Sequence, residues 1–135
     1  MNRHPYLRAY MAGVLLPTWF LVIILAGFVI ARMVYKLPIP IERMIAFPMA
    51  GVPNLWGLWN LLYLALGLKG RLGLGAWGAL LPVIFMPAGL LVARHLGITF
   101  VTPTLILTAF PFLAAFYYLV WKHVVGFLNE VVGVA

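Results

Sequence analysis

The chain has 135 residues, 66% of them hydrophobic and only 8% charged, with a net charge of +7. Soluble domains carry about a quarter charged residues, so a water-soluble fold is excluded and the bilayer becomes the solvent. The basic residues punctuate the chain where apolar segments end instead of forming one patch. That argues against a nucleic-acid surface and for cations that snorkel into anionic headgroups.

The first expected span covers residues 10–34, with a core, Val14–Ile30, that is almost wholly aliphatic or aromatic. About 20 residues cross a hydrocarbon core of roughly 30 Å, so this segment crosses with some tilt. It is too long for a signal-peptide core and no small-residue cleavage pattern follows it, so it is expected to be retained. A connector, residues 36–51, comes next. Leu37-Pro38-Ile39-Pro40 is expected to be extended, because each proline pushes its predecessor out of the helical region. Ile41–Phe47 is expected to make about two helical turns lying in the interface.

The second expected span, residues 52–68, is short, with Pro53 placed for a first turn. A basic, glycine-rich turn, Lys69–Gly75, joins it as a hairpin to the third, residues 76–93, which contains Pro82 and Pro87. The fourth, residues 98–121, contains Pro103 and Pro111. It ends in Phe116, Tyr117, Tyr118 and Trp121, followed by Lys122, a pattern expected at a membrane–water boundary. In the amphipathic tail, residues 122–135, helical spacing puts Lys122, Gly126, Asn129, Glu130 and Gly133 on one stripe. Val125, Leu128 and Val132 fall on another.

These elements predict an all-α membrane protein forming a single integral domain, 1–135. Its architecture would be a four-transmembrane-helix antiparallel bundle with a short interfacial segment between helices 1 and 2. Four spans put both termini on one side. That side holds Arg3, Arg8, Lys69, Arg71 and Lys122, against Arg32, Lys36, Arg43 and Arg94 opposite. The excess of one cation points to cytoplasmic termini in the cell (inner) membrane.

The chain contains no cysteine, serine or aspartate, and its only acids are Glu42 and Glu130. Membrane hydrolases and synthases use paired carboxylates, a Ser/His arrangement or a metal, so no enzyme activity, cofactor or metal site is expected. His95 and His123 bracket the fourth span, about 40 Å apart if helical, and cannot share a metal. His4 lies on the side of His123, but neither has a second candidate ligand within one turn.

Two constellations stand out. Trp56, Trp59, Asn60 and Tyr63 recur at spacings of three and four, so they share one helix face. Asn60 is too costly to expose to lipid. The face serves interhelical packing, an apolar ring-bearing ligand such as a quinone, carotenoid or sterol, or a subunit contact. Thr104 and Thr108 form a polar stripe near the prolines of the fourth span. They compensate carbonyls freed by proline or line a path for water or a small solute.

In length and number of spans the chain is similar to the small multidrug exporters, which carry a glutamate within the first span. No acid lies between Tyr10 and Ala31 here, so the likeness ends at topology. The expected role is a small non-catalytic integral membrane protein, a subunit or accessory scaffold of a larger membrane assembly. The alternatives are a homo-oligomeric channel or transporter for a small neutral or hydrophobic solute, and a binder of a lipid-like cofactor or pigment. Expected partners are the lipid bilayer and other membrane subunits or a second copy, with no nucleic acid.

Overall fold

The computed structural model describes residues 3–99 and 101–134, with the backbone alone at Ala46, Phe47 and Pro48. Helices make up the fold, and no strand occurs among the described residues. They are α1 (Pro5–Met33), α2 (Ile41–Met44), α3 (Gly51–Ala65), α4 (Leu74–His95), α5 (Pro103–Val120) and α6 (Gly126–Val131). Two π-helical turns, Ile45–Ala50 and Trp121–Val125, join α2 to α3 and α5 to α6 without a break.

Three helical stretches are long and apolar enough to cross a membrane: Pro5–Met33, Leu74–His95 and Pro103–Val131. The chain is therefore a helical membrane protein. Of the four expected spans, the second does not reach this length by itself. Its helix, α3, has 15 residues, about 22 Å at the α-helical rise.

Helix ends move away from their expected positions for local reasons. Pro5 and Pro103 each sit in the first turn of their helices, where a missing N–H costs nothing and φ is already set. Thr102 caps α5 by accepting from the Leu105 N–H at 3.2 Å. The expected fourth span began at Ile98 and so included residue 100, outside the described residues; Ile98, Thr99, Val101 and Thr102 are not helical. Pro103 therefore begins a helix instead of breaking one. Pro17, Pro82, Pro87 and Pro111 lie inside continuous helices.

The connector also differs from expectation. The Ile39 N–H donates to the Leu37 carbonyl and the Ile41 N–H to the Ile39 carbonyl, both at 2.9 Å. Pro40 has φ −80° and ψ 67°. These are inverse γ-turns centred on prolines, whose fixed φ lies close to the value that turn requires. The helix beginning at Ile41 then runs straight into α3.

Glycines set the closest approaches. A Cβ added at Gly13 on α1 would lie 2.5 Å from the Trp56 carbonyl oxygen and 2.9 Å from Gly57 Cα. Helices α1 and α3 thus pack backbone to backbone. On α4, a Cβ at Gly78 would lie 2.0 Å from the Trp121 ring. Ala9 contacts Asn60 whereas Gly13 contacts Trp56, so α1 and α3 run antiparallel. Gly75 meets Lys122 while Phe85 meets Tyr117, so α4 and α5 do too.

The core gathers Trp56, Leu81, Tyr117, Trp121 and Val125. Two of these, Tyr117 and Trp121, were expected at the membrane boundary; they are buried, while Phe116 and Tyr118 face outward. The π turn explains why. Tyr117, Trp121, Val125 and Asn129 are spaced by four and all buried. Four residues of α-helix overshoot a full turn by about 40°, so such a stripe would rotate off the core. The wider π turn at Trp121–Val125 takes up the excess.

Candidate functional site

All four residues of the expected aromatic face belong to α3, and all four turn their polar atoms to protein partners. Trp56 donates from Nε1 to the Tyr117 hydroxyl at 3.1 Å. Its ring lies edge-on to Tyr117, with centroids 4.9 Å apart, and 5.3 Å from Trp121. Trp59 stacks on Trp77 of α4, centroids 4.2 Å apart and planes at 13°. Each of these indoles donates to the other's backbone carbonyl, at 2.8 and 2.9 Å. Tyr63 closes the hairpin by donating to the Leu72 carbonyl at 2.7 Å.

Asn60 is the most buried of the polar residues, 1% exposed. Its Nδ2 donates to the Ala9 carbonyl at 2.6 Å and to Asn129 Oδ1 at 2.7 Å. Asn129 returns the favour, donating from Nδ2 to Asn60 Oδ1 at 3.0 Å. This reciprocal amide pair ties α1, α3 and α6 together. In an apolar medium such bonds are worth about 0.6 kcal/mol each, up to about 2, and leaving an amide unpaired costs more.

Asn129 stays on the expected stripe, since with Lys122, Gly126 and Glu130 it lines one cavity, and past the π turn it is also buried, as Val125 is. The signal that locates it is the four-residue spacing from Tyr117 onward. Trp121 Nε1 is the one buried side-chain polar atom without a partner among the described residues.

Thr104 and Thr108 face outward on α5, and the Thr108 hydroxyl donates to the Thr104 carbonyl at 2.8 Å. Within one copy they line no interior path. Thr18 does the same on α1, donating to the Val14 carbonyl at 2.7 Å. Tyr10 donates to Asn54 Oδ1, and Asn54 Nδ2 to the Ala50 carbonyl at 2.7 Å, at the seam between π turn and α3.

Ionised groups stay at the ends. Arg32 pairs with Glu42 at 2.6 Å, with side chains 40% and 71% exposed. Backbone hydrogen bonding at Glu42, then the Arg32 guanidinium, holds the carboxyl below its ordinary range. Arg43 donates to the Gly97 carbonyl at 3.3 Å, fastening the connector to the end of α4. His4, His95 and His123 are all exposed, and no group of three metal-ligating side chains occurs among the described residues. No family model, curated protein or solved structure matches the chain.

Proposed function

We propose that this protein is a small non-catalytic subunit or accessory scaffold of a larger membrane assembly. In this reading the continuous helix from Ile41 to Ala65 makes a fourth crossing, the bundle is antiparallel, and both termini are cytoplasmic. The run from α2 through α3 is on the order of 35 Å long, and its antiparallel contact with α1 supports that topology.

One observation carries the functional reading. Trp56, Trp59, Asn60 and Tyr63 all direct their polar atoms into bonds between elements of the chain itself. Their chemistry goes into holding helices together. The outward faces are apolar by contrast: Trp19, Phe20 and Ile23 on α1, Leu107 and Phe112 on α5, all at least half exposed. Such faces meet lipid or another transmembrane helix.

The test is site-specific photo-crosslinking in the native membrane from Ile23 on α1 and Leu107 on α5, followed by purification in mild detergent. A scaffold gives a discrete adduct with the same partner subunit from one face and lipid from the other. Lipid adducts alone from both faces, with a lone monomer on sizing, would sink the reading. Cysteine labelling at residue 2 and at Lys69, both expected on one side, checks the topology.

A further inference from the structure

A cavity of about 250 Å³ opens at the pole where α1 begins and α6 ends. Its floor is the Asn60–Asn129 amide pair, its wall includes Tyr63, and its rim carries Lys69, Lys122 and Glu130. We infer that this cavity receives a singly charged phosphate group, that of an anionic phospholipid or of free phosphate. The inference stands apart from the scaffold reading and needs no partner subunit.

The argument starts from charge. Lys69 and Lys122 have no carboxylate partner among the described residues, where the only ion pair is Arg32–Glu42 at the far pole. Two ammonium groups and one carboxylate leave the rim with one net positive charge. That complements a phosphodiester monoanion and is a poor match for a doubly charged ester. Lysine binds phosphate as a point charge and needs no fixed fork geometry, which suits residues on a turn and at a helix surface.

Position agrees with charge. Lys122 follows the aromatic end of α5, and its ammonium lies 5.8 Å from the Tyr118 ring centroid. Outward-facing aromatic residues followed by a cation are the pattern that collects at lipid headgroups. The floor adds donor capacity, since Asn129 has two N–H bonds and gives one to Asn60. The volume is right as well. At about 30 Å³ per water the space holds roughly eight waters. That suits a headgroup and falls below the range of about 300–1,000 Å³ typical of whole drug-sized ligands.

The experiment uses the full chain in a mild non-ionic detergent, with binding followed by native mass spectrometry and thermal shift. The probes are phosphatidylglycerol, net-neutral phosphatidylcholine and inorganic phosphate. Wild type is expected to retain phosphatidylglycerol in preference to phosphatidylcholine. Lys69→Gln with Lys122→Gln lowers that affinity roughly thirtyfold, the effect of two cations beside an anionic group. The far-pole pair Lys36→Gln with Arg94→Gln leaves it unchanged.

Gly126→Leu tests the cavity itself. Gly126 lines it, and a Cβ there has ordinary room, 3.7 Å from the Trp121 carbonyl. The larger side chain fills the space without altering charge, and binding is expected to disappear while the thermal midpoint holds. Protection of wild type by millimolar phosphate, lost in the double glutamine variant, identifies the same site with a soluble ligand. The proposal is overturned if neither anion binds, if the far-pole variant weakens binding equally, or if Gly126→Leu binds as wild type does.

Discussion

The two poles of the molecule are built by opposite means. From the pole holding the termini to mid-height, specific contacts join the α1–α3 pair to α4, α5 and α6: the amide pair, the Trp59–Trp77 stack and the Trp56–Tyr117 bond. Apolar space begins beside the Trp56–Tyr117 contact, where a cavity of about 340 Å³ is lined from α1, α3 and α5. Toward the other pole one of about 380 Å³ lies chiefly between α4 and α5. There, cross-pair polar contact includes Arg43 reaching the Gly97 carbonyl. The contrast teaches how a chain without buried charge gains specificity. Lipid is as apolar as leucine, so burial alone does not choose one helix arrangement over another; directional bonds and close-fitting glycines do.

The sharpest break is at the closed pole. Asn60→Leu removes three hydrogen bonds and leaves the Asn129 amide without its partner, and a loss of about 3 kcal/mol is expected. Unfolding in mixed micelles measures it. Combining it with Asn129→Leu should recover part of that loss, because replacing both partners of a buried pair leaves no orphan amide. A double variant less stable than either single one would contradict the pairing.

Gly78→Ala comes next. Its methyl group would lie 2.0 Å from Trp121, and overpacking of this kind costs about 1–3 kcal/mol. Gly27→Ala, with nothing within 4 Å, serves as its control and should sit within about 0.5 kcal/mol of wild type. Trp77→Phe, which keeps the stack but loses one N–H donor, is expected to cost about 1 kcal/mol. A similar loss from Thr108→Val, on the outward face of α5, would blur the contrast between interior and surface.

The smallest effect belongs to the far pole. The folded-state pKa of Glu42 is depressed, so its contribution is present above the unfolded value, about 4.3, and fades as pH falls through the folded one. The pair is exposed, so Arg32→Gln should barely move the unfolding midpoint at pH 7. Any difference from wild type should vanish in acid.

How much of this was legible in the sequence varies by element. The helical membrane class follows from composition and run length, and the Trp56–Tyr63 face from spacings of three and four. The partner of Asn60 did not follow, because an α-helical wheel continues past Trp121 where the real helix widens. Thr102-Pro103 carries a start signal, a capping residue before a first-turn proline, that span length had overridden. The shortness of α3 was visible in outline, but its fusion to the helix at Ile41 was not. Four prolines between residues 38 and 53 argue locally for a break, and the π turn is the means by which the chain avoids one.

The clasp between Asn60 and Asn129 also has a bearing on assembly during synthesis. Its two halves lie 69 residues apart, so it closes only after Asn129 has left the ribosome, well after α1 and α3. Until then the Ala9 carbonyl shields the Asn60 amide. The α1–α3 pair can thus wait as a half-finished unit, and a chain truncated before Asn129 would never lock.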